Sequence, residues 1–335
     1  MRIGFKCAVL ALICWLPAMT TFAGMLRHQP DNPVTALFKF EQQIVAKVAT
    51  SNGPAFQQVV LKNGAVRLLP LPDFKMKAGE RRPDMLPDGI VTMGGQDISA
   101  AWLVVPTKRY DHGVLGDAIE AAGVRAQMRD GRVLSFNLPP DSVFEDRRVR
   151  LADLDGDGGD ELLVVRSYLN RGAALAVLRP GPNELAIVAE TPAIGLPYRW
   201  LNPAAVADFD GDGRVEIALV VTPHIGGTLK YYELRQNRLI AEFSSSGFSN
   251  HAMGSPIQDM AAVVDWGRGP ILHLPDAWRG GLRQVSLLEG QDKIRNFASH
   301  NRPITTALVA ADLDGDGWKE IVYGLDNGEL VVFSR

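Results

Sequence analysis

Three nine-residue segments of this chain align without a gap, and they restrict its fold more than any other feature. They read Asp153-Leu-Asp155-Gly-Asp157-Gly-Gly159-Asp-Glu161, Asp208-Phe-Asp210-Gly-Asp212-Gly-Arg214-Val-Glu216 and Asp312-Leu-Asp314-Gly-Asp316-Gly-Trp318-Lys-Glu320. Each sets carboxylates at positions 1, 3, 5 and 9 and glycine at 4 and 6. Like charges crowded into so short a loop repel one another unless a cation neutralises them. A hard cation such as Ca²⁺ takes roughly six to eight oxygen ligands. Alternate side chains of a curled loop can converge on one ion, with the backbone carbonyl at position 7 (Gly159, Arg214, Trp318) added to the shell. The glycines permit backbone angles that other residues resist. About three calcium ions are therefore expected. An EF-hand is excluded, because position 12 is Val164, Leu219 or Tyr323 rather than glutamate and the flanks are strand-like.

The spacing of the loops defines a repeat. Asp153 and Asp208 are 55 residues apart, and Asp208 and Asp312 are 104 apart, close to two periods. Residues 261–273 supply the skipped copy, in which Asp265 holds position 1 and the other ligands are gone. Alternating segments recur after Gly172, Gly227, Gly281 and Gly328, and again at Leu185, Leu239 and Ile294. Two strands flank each loop and two follow, which makes a four-stranded antiparallel unit of about 50 residues. A strand-only repeat of that length points to an all-β propeller of roughly five to seven four-stranded blades, several with a calcium-binding loop between their first two strands. Residues 98–136 fit one more unit without the loop. The chain stops one strand short after Phe333, so an N-terminal strand, 56–61 or 66–69, is expected to complete the last sheet and close the ring. Residues 70–87 read as a loop or linker.

The beginning of the chain reads as an export signal. Arg2 and Lys6 precede an apolar run from Cys7 to Met19, and Thr21-Phe22-Ala23 is a small-x-small cleavage site before Gly24. The run is too short for a spanning helix, which needs about 20 apolar residues. Both cysteines, Cys7 and Cys14, lie inside it, and Ile13 before Cys14 argues against lipidation. The exported chain would carry no disulfide. The organisation expected is a signal peptide at 1–23, strands and linker closing the ring at 24–97, and repeats at 98–335, in a periplasmic or extracellular protein. Of the 38 acidic residues twelve occupy positions 1, 3, 5 and 9 of the three loops, and the net charge is only −3. No basic stripe for nucleic acid and no membrane span is apparent.

These loops and their strands resemble the FG-GAP/VCBS repeats of the integrin α-chain N-terminal propeller superfamily, found also in many exported bacterial proteins. The resemblance covers about residues 98–335. It implies Ca²⁺ bound through Asp153, Asp155, Asp157 and Glu161, through Asp208, Asp210, Asp212 and Glu216, and through Asp312, Asp314, Asp316 and Glu320. The Asp265 copy and the unit at 98–147 depart from the pattern and inherit no metal.

In such a blade the acidic loops share one face, and the connections from strand two to three and from blade to blade share the other. That second face collects Arg171, Arg199, Trp200, Asn202, His224, Asn250, His251, His300 and Asn301, a set suited to recognising a protein or a glycan. Packing of Trp and His between sheets is the plainer use of the same residues. His224, His251 and His300 lie 27 and 49 residues apart, which is not a metal-ligand spacing. Arg109-Tyr110-Asp111-His112 with Asp117 and Glu120 could form an acid–base cluster, although an extended loop is the simpler reading. No nucleophile elbow, His-Glu-x-x-His or dinucleotide fingerprint is present. The function expected is a binding or scaffold module for an extracellular or envelope protein or glycan, with a polysaccharide lyase or hydrolase as the alternative.

Overall fold

The computed structural model describes residues 24–75, 80–290 and 293–334, so the expected signal peptide lies outside the described residues. Among those residues there are 25 strands and no helix.

After β1 (Met25–His28) come β2 (Val34–Phe40), β3 (Gln43–Thr50), β4 (Gly53–Lys62) and β5 (Ala65–Pro70), which form a four-stranded antiparallel sheet in sequence order. The second unit holds β6 (Thr92–Met93), β7 (Ile98–Thr107), β8 (Glu120–Met128) and β9 (Val133–Asn137). A short strand, β10 (Ser142–Phe144), joins it to the third unit, made of β11 (Arg150–Ala152), β12 (Glu161–Tyr168), β13 (Gly172–Pro180) and β14 (Leu185–Glu190). The fourth sheet is β15 (Leu201–Ala207), β16 (Glu216–Val221), β17 (Thr228–Arg235) and β18 (Arg238–Ser246). The fifth is β19 (Ala262–Asp265), β20 (Pro270–Pro275), β21 (Gly281–Val285) and β22 (Ile294–Ser299). The last contains β23 (Val309–Ala311), β24 (Glu320–Gly324) and β25 (Leu330–Phe333). Sheets of this size and order are those expected of propeller blades.

Alternation along the central strands explains the stacking, because successive side chains of a strand leave opposite faces. In β16, Ile217 and Leu219 pack with Leu163, Val165, Leu175 and Val177 of the third unit. Ala218 and Val220 pack with Leu272 and Leu274 of the fifth. Ile321 and Tyr323 join Trp266 and Leu282 of the fifth sheet, while Val322 joins Ile44 and Ala46 of the first. Buried on both faces, these strands read as nearly unbroken apolar runs, and each buried aliphatic side chain contributes about 1.5–3 kcal/mol.

The last sheet is completed from the N-terminus, but by a different strand from the one expected. β1 pairs antiparallel with β25, Met25 opposite Phe333 and His28 opposite Leu330. The segments 56–61 and 66–69 instead lie in β4 and β5, hydrogen-bonded to each other. Period-two alternation marks a strand without naming its partner, whereas β1 is four residues long and carries no such signature. The outer face of the second unit is covered in its own way: Ala100, Trp102 and Val104 pack on Met85 and Val91 from the segment that precedes it.

Candidate functional site

Each acidic segment is the hairpin loop between the first two strands of its sheet, and all three curl identically. In the second loop Asp208 accepts hydrogen bonds from the N–H groups of Gly211 (2.8 Å) and Gly213 (3.0 Å). Asp210 accepts from Asp212 N–H (3.1 Å), Asp212 from Arg214 N–H (2.9 Å), and Glu216 Oε2 from Phe209 N–H (2.7 Å). The same five bonds occur around Asp153 and around Asp312. Glycine is needed at positions 4 and 6 because φ is positive there: 76° and 88° at Gly156 and Gly158, 81° and 91° at Gly211 and Gly213, 84° and 89° at Gly315 and Gly317.

This curl brings carboxylates together. In the second loop Asp208, Asp210, Asp212 and Glu216 each offer an oxygen within 4.8 Å of the others; Asp153, Asp155 and Glu161 do so in the first, and Asp312, Asp314 and Asp316 in the third. Asp157 and Glu320 fall outside these groupings, and the position-7 residues Gly159, Arg214 and Trp318 donate their N–H groups to the loop aspartates. The donor set suits a hard cation. Glu216 fits that role best, since it is fully buried and its Oε1 has no hydrogen-bond partner. Burial, and then the neighbouring loop aspartates, push Glu216 and Glu320 up to about 7, so both carry an unmet demand for positive charge.

The first loop differs. Arg179, at the end of β13, donates Nε–H to Glu161 Oε1 at 2.8 Å and Nη2–H to Asp155. A guanidinium thus occupies the position between two of the three converging carboxylates. The Asp265 turn has no such convergence, because Asp265 Oδ1 caps the N–H groups of Gly267, Arg268 and Gly269 by itself.

Residues 153–219 match the family model for the FG-GAP-like repeat. The chain carries an FG-GAP-like repeat. It runs from the first carboxylate of the first loop through the second loop into β16. No curated protein matches the chain.

At the other end of the strands of this FG-GAP-like repeat the structure gathers some of the polar residues singled out in the sequence. Arg199, Trp200 and His224 line a pocket of about 190 Å³ together with His112, Tyr198, Thr222, Ile225 and Met253. His251 lies behind it, buried, with its Nδ1 2.8 Å from His224 Nε2. Asn202 and Asn250 do not face it. They are buried and clasp each other, each side-chain amide donating to the other's carbonyl at 3.1 and 3.0 Å. Arg171 lies over the Tyr168 ring at 3.7 Å, and Asn301 is exposed elsewhere. His300 accepts from Arg27 (2.8 Å) and so donates its other N–H to Tyr323 Oη (2.7 Å), apart from His224 and His251.

One residue of this region carries no signal in the sequence. Glu145, in the segment after β10, is fully buried and receives His112 Nδ1 at 2.6 Å and the Ser167 hydroxyl. Burial raises its pKa, and the contact with His112 opposes that rise. The alternative acid–base cluster of 109–112 with Asp117 and Glu120 does not assemble around His112. Asp117 instead caps Ile119 N–H, and Glu120 is buried and held protonated, pushed up to about 10 chiefly by burial. Only the 33-residue separation of His112 from Glu145 hid the pair; no local spacing rule links a strand connection to the next sheet.

Proposed function

We propose that this protein is an exported, calcium-stabilised propeller of six four-stranded units, working as a binding or scaffold module for an extracellular or envelope protein or glycan. The FG-GAP-like repeat and the four-stranded sheets support the propeller reading, and the β1–β25 pairing supports a ring held by both ends of the chain. The observation that carries the metal reading is the buried, unpartnered Glu216 Oε1 facing a loop in which four carboxylates converge. A divalent ion there supplies the positive charge that the loop lacks. Asp208, Asp210, Asp212 and Glu216 would hold it in the second loop, and Asp312, Asp314 and Asp316 in the third. In the first, Asp153, Asp155 and Glu161 must exchange Arg179 for the ion. The export reading rests on residues 1–23.

The test is calcium titration of chelator-treated protein, followed by calorimetry and melting temperature. Extracellular modules bind with Kd of about 10⁻⁴–10⁻³ M, and at a hundred times Kd each site adds about 2.7 kcal/mol to folded-state stability. Heat of binding with a rising melting temperature is expected. Protein that takes up no calcium and melts at an unchanged temperature would sink the reading.

A further inference from the structure

The pocket at the end of the strands away from the acidic loops has the construction of a small-ligand site. Behind its wall, the backbone carbonyl of Ser255 lies 2.8 Å from His251 Nε2. A carbonyl only accepts, so His251 carries its proton on Nε2 and its Nδ1 is an acceptor. His224 Nε2, 2.8 Å away, therefore donates to it, and His224 Nδ1 is left with a lone pair. His224 and His251 are held neutral, burial lowering them to about 3 and about 4. Across the pocket, His112 Nδ1 is taken by Glu145, whose other oxygen is taken by Ser167. His112 Nε2 has no hydrogen-bond partner among the described residues. Two imidazole nitrogens of residues lining one pocket are thus free, on rings fixed from behind.

The rim is equally unusual. Tyr198, Ile225 and Met253 are 48%, 61% and 58% exposed, apolar surface grouped around a polar floor. Tyr198 and the β-branched Thr222 have φ of 55° and 50°, left-handed angles that non-glycine residues hold only under constraint. Backbone of this kind is kept where surrounding structure fixes it, and it recurs at ligand sites.

We propose that this pocket binds one saccharide ring, with hydroxyl groups hydrogen-bonded to His112 Nε2 and His224 Nδ1 and a ring face against Tyr198, Ile225 and Met253. About 190 Å³ lies below the roughly 300–1,000 Å³ of clefts that enclose drug-sized ligands, which restricts the occupant to about one ring. A hydroxyl both donates and accepts, so it satisfies His112 in either tautomer. A transition metal fits less well. Among the described residues, clusters of three His, Cys, Asp or Glu ligands occur only in the acidic loops, and both Glu145 oxygens are already engaged.

This inference rests on the binding-module reading and narrows it to one site and one ligand class. The test uses the full exported chain in calcium, with saturation-transfer NMR and calorimetry against glucose, galactose, mannose, N-acetylglucosamine and glucuronate. Binding of at least one sugar is expected. Its affinity should fall roughly tenfold when one hydrogen bond is removed in His112→Phe, and again in the rim variant Tyr198→Ala, which takes away an exposed side chain. Melting temperatures of both variants show that they fold. A sugar that binds with unaltered affinity to both folded variants would overturn the pocket while leaving the glycan reading intact. No binding by any sugar of the panel would overturn the saccharide proposal, and a protein partner captured independently would then preserve the module reading. Tight binding of Zn²⁺ lost in His112→Phe would replace the sugar by a metal and overturn it as well.

Discussion

Replacing Glu216 by glutamine should have opposite effects with and without calcium. Glu216 is fully buried, accepts one hydrogen bond from Phe209 N–H and leaves Oε1 unpartnered. Its pKa rises from the usual 4.5 to about 7 through burial and then Asp210, Asp208 and Asp212. At 1.36 kcal/mol per pH unit that difference costs the ionised form ~3 kcal/mol. Asp210 and Asp212 are exposed, and water screens part of the repulsion, so ~1–2 kcal/mol is the realistic figure. The sign follows from the raised value. In metal-free protein the penalty is fully present above about pH 7 and vanishes below the unfolded value of 4.5, where both states are protonated. Glu216→Gln removes it, keeps the bond from Phe209, and turns the orphan oxygen into a donor toward the loop aspartates. At pH 8 in chelator the variant should therefore be more stable than the parent by ~1–2 kcal/mol in denaturant unfolding. In calcium at about a hundred times Kd the parent gains ~2.7 kcal/mol at this loop and the variant gains much less, so the order inverts. At pH 5 without calcium the two should nearly coincide. A variant less stable than the parent in chelator at pH 8, or equally responsive to calcium, would refute the charge argument.

Three further outcomes follow from other parts of the molecule. Arg179→Met removes the guanidinium from Asp155 and Glu161; calorimetry should show calcium affinity at the first loop rising roughly tenfold, and unchanged titration curves would mean that Arg179 does not compete with the ion. Gly213→Ala meets no atom within 4 Å of the added Cβ but keeps a φ of 91°, so it should cost ~1–2 kcal/mol in chemical denaturation through backbone strain alone, and a neutral result would contradict the loop conformation. His273 is fully buried beside Trp266 and Phe297 and is lowered from 6.5 to about 3. A depressed basic group gives stability that is present above pH 6.5 and lost as pH falls toward the folded value, so His273→Leu should gain on the parent by ~2 kcal/mol between pH 8 and pH 5; a pH-independent difference would show that the ring charges without penalty.

How much of this was legible in the sequence depended on distance along the chain. The course of the acidic loops was legible, because their carboxylates, glycines and flanking strands are contiguous and the positive φ angles fall at the two positions where glycine repeats. The skipped copy at Asp265 was legible from the period alone, and β19 and β20 occupy it. β1 was not, since four residues with no alternation carry no sign that they pair with Phe333 at the far end of the chain. The histidine pocket was half legible. Trp200, His224 and His251 recur in blade-end connections, but Glu145 looked like one acid among many in Asp-Arg-rich sequence until the fold brought it against His112.

The least legible property concerns the loops themselves. Read along the chain, the three are interchangeable; read across the strands, they are not. Glu161 faces a neighbour on β13 that is Arg179, while Glu216 stands opposite Glu233 in the β16–β17 register. The first loop therefore has an internal cation, whereas the second has a further carboxylate, itself held by Arg214 and Arg235. A single cross-strand residue, outside the nine-residue segment, changes the charge each loop presents to an ion. It follows that the ligand pattern defines where a cation fits, and the partner strand defines how strongly that loop demands one. By this reasoning the second loop should load before the first, although their acidic ligands sit at identical positions.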